Sequence, residues 1–485
     1  MLRNKDIQNL SELKSTFVDM HKKSDFIFNF IDILKLGKLH GVFSNVKQKG
    51  IPALTLIRLL LAFPFIDQKS VFGFTQSYWQ QFGCFGKDAY YRLKNNERIN
   101  WRNFLFGVVK IVINTLEKRE NETDNQSVGP KALIFDDTVM HKTGKAIEGI
   151  SKIWDHAIQK SVLGFQLLVL GYYDGTMFIP IDFSIHRAKG ANKKKIFGLR
   201  PKDYKKQFRK SREKGTAGFK RKKELDITKI KSAVKMIKSA KKRGIEAAYV
   251  LTDSWFTCKE LVQTTIENGM NYIGMFSKIK TNFVYQNKCL SYKQIRNRNR
   301  KKVKRNRRFK LYYIQTVVEW NGQKVVLLFT RKGKKGKWKC IISSDISLSV
   351  SEILEIYSIR WTIEVFFKEC KQSLNLGKSQ SNDFDAQIAD TTIVMVQYLF
   401  LAIQNRIDKY ETLGKLFKGT KENLLELRLH QRLIALLIAI IEIIEDLFDS
   451  ADDEEVIKKI INNEELMSRI IRLVNSDYDE IKLVA

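Results

Sequence analysis

Apolar residues recur in two different rhythms along this 485-residue chain. Through residues 1–125 they fall at steps of three and four, in "FIFNFIDILKL", "LTLIRLLLAF" and "WRNFLFGVVKIVINTL", a pattern that predicts amphipathic helices. The polar segment 117–130 reads as a linker. The period then shortens. "KALIFDDTV" (131–139), "VLGFQLLVLGYYDG" (162–175) and "MFIPIDFSIH" (177–186) are rich in β-branched and aromatic residues and predict three strands, the last two joined by a hairpin turn at "YYDGT". An amphipathic helix "ITKIKSAVKMIKSAKKRG", a strand "AAYVLTD", a helix "CKELVQTTIENG" and a strand "NYIGMF" follow. This β-β-β-α-β-α order predicts an α/β domain.

From Ser277 to about Leu348 the residues alternate again, in "LYYIQTVVEW", "QKVVLLFTRKG" and "WKCIISSD", which predicts a β-rich insertion. A helix over about 350–375 resumes the α/β core, and 385–485 reads as helical. The expected division is therefore a helical DNA-binding domain (1–125), a core in two parts (126–276 and 349–400) around the insertion (277–348), and a helical C-terminal dimerisation region (401–485).

Charge narrows the partners. A net charge of +34 with a pI near 9.8 attracts polyanions, nucleic acid before anionic membrane surface. Basic runs at 193–223 and 296–308 would meet phosphates without reading sequence; the alternative is a solvated face. "GKDAYYRLKNNERINWRNFL" fits either a helix-turn-helix around Asn95–Asn96 or a plain helical hairpin. The apolar runs 433–441 and 56–66 are too short to span a bilayer, so no membrane partner is expected. Five cysteines, Cys84, Cys258, Cys289, Cys340 and Cys370, are scattered without a CxxC pair and fit a reducing compartment. "MLRNKDIQNLSELKS" shows no signal pattern. The expectation is a soluble cytoplasmic protein.

Three acids stand out. Asp137, beside its rival Asp136, lies at the end of a predicted strand, as does Asp253 in "VLTDSW". Carboxylates there sit at the rim of a sheet, where open α/β folds bind ligands. Glu364 lies mid-helix among large apolar residues and needs a partner. That partner is either an ion pair with Arg360 or Lys368, at helical spacing, or a metal ion. Hard carboxylate oxygens without a histidine or cysteine cluster suit Mg²⁺ or Mn²⁺. Two such ions activate an attacking oxygen and stabilise a leaving one on a phosphodiester. His141, His156 and His186 form no ligand pattern.

The stretch "IYSIRWTIEVFFKECK" resembles the Y-x2-R-x3-E-x6-K signature of the DDE transposases of bacterial insertion sequences, met here by Tyr357, Arg360, Glu364 and Lys371. "DDT" at 136–138, "TDSWF" at 252–256 and the β-rich insertion extend the resemblance over about 131–400. It implies an RNase H-like catalytic core with Asp137, Asp253 and Glu364 holding two Mg²⁺ (or Mn²⁺) ions; the acid directly before the threonine favours Asp137 over Asp136. It further implies that Tyr357, Arg360 and Lys371, with Lys368 one turn earlier, hold the transposon end. Charge-assisted contacts from arginine and lysine suit that role. Trp338, in "GKWKCIISSD", would stack on a flipped base or pack in a small core. The implied partners are double-stranded DNA, both transposon ends and target, and a second copy of the chain, in a nucleoid-associated, cut-and-paste transposase with a hairpin intermediate. A stand-alone RNase H-like nuclease and a catalytically inactive DNA-binding relative are the alternatives.

Overall fold

The computed structural model describes residues 39, 41–44, 46, 49–65, 68–76, 85–123, 129–190, 194–278 and 280–408. The expected helix at 26–36, the apolar run at 433–441 and nearly all of the 401–485 region lie outside them. Apart from Phe65, the described residues belong to one compact unit, 31–64 with 68–416.

The unit opens with helices α1 (Gly41–Ser44), α2 (Ala53–Ala62), α3 (Val71–Thr75), α4 (Lys87–Lys94) and α5 (Trp101–Thr123). Strands β1 (Ala132–His141), β2 (Ser151–Asp155), β3 (Lys160–Tyr173) and β4 (Phe178–His186) come next. Helices α6 (Pro201–Lys205), α7 (Ala217–Glu224) and α8 (Lys229–Lys242) lead to β5 (Tyr249–Thr252), α9 (Lys259–Glu267) and β6 (Asn271–Phe276). Then come β7 (Asn282–Tyr285), β8 (Lys288–Ser291), α10 (Tyr292–Arg298), β9 (Lys304–Asn306), β10 (Leu311–Trp320), β11 (Gln323–Lys332) and β12 (Lys339–Ser343). Helices α11 (Val350–Ser358), α12 (Trp361–Gln372) and α13 (Phe384–Asp408) complete it.

All twelve strands form one sheet, in the order β2-β3-β1-β5-β6-β12-β11-β10-β7-β8, with β4 also on β3 and β9 on β10. β1, β5 and β6 run parallel, and β3 pairs antiparallel with β1. The strands expected as an insertion thus continue the core sheet, through the antiparallel pairing of β12 with β6.

Three features depart from the sequence reading. Residues 117–123 of the expected linker belong to α5. A fourth early strand, β2, runs along the first residues of β3. The helix expected over 350–375 is two helices. The Ile359 and Arg360 amides reach back three residues, to the Ile356 and Tyr357 carbonyls, and this tighter turn separates α11 from α12.

The core explains where α12 sits. Ile363, Phe366, Phe367 and Cys370 are buried, and the Phe366 ring lies 5.2 Å from Phe178 on β4 and 4.8 Å edge-on from Tyr398 on α13. Burying such side chains stabilises by about 2 kcal/mol each, more than the ~0.5 kcal/mol of a surface ion pair, so packing fixes α12 and its charged residues take the positions this leaves. In α13 the apolar stretch Phe384–Ile403 is 94% buried within the protein. Buried Gln397 there donates to the Leu60 and Leu61 carbonyls of α2. α5 packs on β4 and α13.

Candidate active site

Register brings the acids together. β1 and β5 are parallel, with Phe135 opposite Thr252. One residue further along each chain come Asp136 and Asp253. Opposed residues of neighbouring strands share a face, so these two carboxylates lie side by side where β5 ends.

The pleat sends the next residue the other way. Asp137 Oδ1 accepts from Lys229 Nζ of α8 at 2.8 Å. Lys229 is 9% exposed, and its ammonium also lies 3.7 Å from the Trp255 ring centroid. Thr138 returns to the first face, where its Oγ1 accepts from Lys371 Nζ at 2.6 Å. The "DDT" triplet therefore points alternately at α12 and its preceding turn, at α8, and at α12 again.

The α11–α12 turn completes the site. Arg360 Nη1 donates to Asp136 Oδ2 at 3.2 Å and Nη2 to Glu364 Oε1 at 2.5 Å, so one guanidinium bridges the sheet and the helix. It also lies 5.9 Å from the ring of Tyr357, which is half-buried. Asp253 Oδ1 accepts the Trp255 and Phe256 amides at 2.9 and 3.2 Å, an arrangement that fixes its carboxylate on the turn after β5. Burial, and then the neighbouring Asp253 carboxylate, push the Asp136 carboxyl up to about 7. Burial likewise raises Asp253, against the opposing pull of its two amide hydrogen bonds.

Among the described residues no three acids, histidines or cysteines are gathered closely enough to hold a metal ion together. The donor chemistry nevertheless fits a divalent cation. Asp136 and Asp253 are hard oxygen donors, each disfavoured as an anion where it stands, and added positive charge relieves that. In this structure Arg360 supplies part of it.

The other expected contacts fall unevenly. Lys368 is exposed on α12, one turn before Lys371. Trp338 lies half-buried just before β12, with the Arg331 guanidinium 4.5 Å from its ring centroid, and no described contact links it to the acids. Within the basic stretch 193–223 two cations do not face solvent, which corrects its reading as a phosphate-facing run throughout. Arg212 is buried on Glu148, Asp383 and Asp385, and Arg221 is buried on Glu224 and the Phe183 carbonyl. From the 296–308 run, Arg308 pairs with Glu355 of α11. The sequence reading overlooked Lys229, whose signal is a lysine in the first turn of α8 at the edge of its apolar stripe.

Residues 222–400 match the family described as the transposase DDE domain. The match takes in Asp253, Arg360, Glu364 and Lys371, stops short of β1, and covers less than half of the chain. No curated protein matches the chain significantly.

Proposed function

We propose that this chain is a DNA transposase of the DDE type, whose metal-holding acids are Asp136, Asp253 and Glu364. The observation that carries the reading is the bridge of Arg360 between Asp136 on β1 and Glu364 on α12, beside Asp253. It links two acids from distant parts of the sequence through one cation, with Asp253 beside Asp136 at the end of the neighbouring strand, and Asp253 and Glu364 lie in the matched stretch. Asp136 takes the place that the sequence resemblance gives Asp137, because Asp137 is turned away onto Lys229.

Bound Mg²⁺ or Mn²⁺ would supply an activated oxygen nucleophile and charge stabilisation at a phosphodiester. The chain's own groups do the rest. Arg360, Lys371 and Tyr357 line the rim beside the acids and suit the phosphates of a DNA end, with exposed Lys368 a turn away. When Glu364 turns to a cation, Arg360 is released to a phosphate, so one side chain serves both states. Lys229 keeps Asp137 out of the site and holds α8 to β1.

In this reading the helical N-terminal residues 1–125 recognise terminal inverted repeats, the 126–400 core with its 277–348 strands cleaves and joins DNA through a hairpin intermediate, and the region 401–485 pairs two copies. The protein works on DNA in the bacterial cytoplasm. The test is Mg²⁺-dependent cleavage and strand transfer on DNA carrying the ends that flank the coding frame. Loss of both in Glu364→Gln and Asp253→Asn supports the reading, and intact cleavage in either refutes the site. Cleavage without joined product would favour a stand-alone nuclease.

A further inference from the structure

Lys229 stands in an unfavourable place for a lysine. It opens α8, directly after the Thr228 cap, and it is 9% exposed. Burial strips water from an ammonium, and a helix N-terminus carries partial positive charge of its own, so both oppose a cation there. The stability of α8 therefore does not explain the residue, and its contacts do.

Two elements meet on this one ammonium. Asp137 Oδ1 of β1 accepts from it at 2.8 Å, and the Trp255 ring, on the turn after β5, has its centroid 3.7 Å away. Each of these partners places a backbone amide on one of the acids. The Asp137 amide donates to Asp136 Oδ1 at 2.8 Å, and the Trp255 amide donates to Asp253 Oδ1 at 2.9 Å. Phe256, whose amide also reaches Asp253, packs its ring 4.8 Å from Trp255 and 6.4 Å from Phe135 of β1. Asp136 and Asp253 thus each take a hydrogen bond from a residue whose side chain Lys229 holds. With Oδ1 engaged by the Asp137 amide, Asp136 presents Oδ2 to Arg360 at 3.2 Å.

We propose that Lys229 is a positioning residue: by clamping Asp137 and Trp255 it fixes the directions of the Asp136 and Asp253 carboxylates, and with them the oxygens offered to a divalent cation. The proposal rests on the reading that these acids hold metal. It gives the second aspartate of the "DDT" triplet and the tryptophan of "TDSWF" one shared task, although neither faces the metal itself.

The sign of the effect separates this role from its rivals. As a bare charge near two acids, Lys229 repels a divalent ion, and its removal would tighten metal binding. As a support for α8 alone, it would leave metal affinity where it is. As a positioning residue it strengthens binding, and its removal weakens it.

The experiment is calorimetric titration of the full chain with Mn²⁺ alone, counting only the binding that Asp136→Asn/Asp253→Asn abolishes, with chemical denaturation to show that each variant is folded at the titration temperature. Lys229→Met keeps the length of the side chain and removes the charge. It is expected to weaken Mn²⁺ binding about tenfold or more, the range in which groups that orient metal ligands act. Lys229→Arg keeps a cation for both Asp137 and the ring and is expected to recover most of that loss. Trp255→Leu breaks the other half of the clamp at a residue 48% exposed, and is expected to weaken binding severalfold; it carries the test should Lys229→Met fail to fold. Unchanged or tighter Mn²⁺ binding in folded Lys229→Met or in Trp255→Leu overturns the proposal and leaves the transposase reading intact, as does a Lys229→Arg variant that folds and recovers nothing. Absence of acid-dependent Mn²⁺ binding in the wild type overturns both.

Discussion

Asp136 and Asp137 are neighbours in sequence and opposites in energy, and replacing each by its amide should move stability in opposite directions. Asp136 is an acid that the fold holds uncomfortably. A rise from 3.8 to about 7 corresponds to about 4 kcal/mol at 1.36 kcal/mol per pH unit. Because its side chain is 17% exposed, solvent screening trims this to about 3 kcal/mol. A carboxyl that binds its proton more tightly in the folded than in the unfolded chain leaves the fold most stable below pH 4. Stability is then lost as pH climbs to about 7. Asp136→Asn removes the titration. It should therefore be more stable than the wild type at pH 8 by roughly 3 kcal/mol, a few degrees of melting temperature in a chain of this size, and about equal at pH 4. Asp137→Asn acts the other way. Lys229 is 9% exposed and would keep a hydrogen bond to the amide but lose its counter-charge, at about 1–3 kcal/mol. The assay is thermal unfolding between pH 4 and pH 8 in the presence of a chelator, so that no divalent ion compensates the acids. If Asp136→Asn melts below the wild type at pH 8, or keeps its pH slope, the account of the site's electrostatics is refuted. An unchanged melting temperature for Asp137→Asn would refute the role given to Lys229.

Further outcomes follow from the same geometry. Arg212→Met should be among the most damaging single changes, costing about 3–5 kcal/mol, because it removes the cation shared by buried Glu148, Asp383 and Asp385, at a place where Arg212 is 3% exposed, and leaves them only Lys222 and Lys210; chemical denaturation measures it. Gly171→Ala should destabilise the β3–β4 pairing by about 1–3 kcal/mol, since a Cβ there would lie 2.0 Å from the Phe178 ring, and a lowered denaturation midpoint with an unchanged denaturant slope checks it. Lys371→Ala should slow DNA cleavage at least tenfold, and more than an alanine at Lys301 or Lys302, because Lys371 alone of these is anchored beside Asp136, on Thr138; single-turnover cleavage rates decide this.

The elements that sequence periodicity predicts are those with enough residues to show a period. β10, ten residues of alternating pattern, and α8, with its apolar stripe, are legible from the chain alone. β2 is five residues long and pairs only with β3, so its signal is too short to separate from a turn. The break at Ile359–Arg360 is invisible for another reason: apolar spacing runs straight through it, and the interruption coincides with an arginine drawn to acids on both sides. The choice between Asp136 and Asp137 is a matter of parity. Which of two adjacent strand residues faces Asp253 depends on the register of β1 with β5, a relation between segments more than a hundred residues apart. Glu364's apolar neighbours Ile363, Phe366 and Phe367 face the core while its own side chain is 35% exposed, so burial does not dictate a partner; the pair it makes with Arg360, four residues away, is legible from helical spacing.

The seam between β6 and β12 has a bearing on how this chain can be shortened. β6 is hydrogen-bonded to β5 on one side and to β12 on the other. Excising 277–348 would strip one flank of β6 and leave a buried, apolar strand as a raw edge, open to pairing with other molecules. Size can change without that hazard only at the far hem, where the β7–β8 hairpin turns on Gln286 and Asn287, both with positive φ. A designer trimming this protein would unpick it from that hem inward and stop before the last stitch, β12.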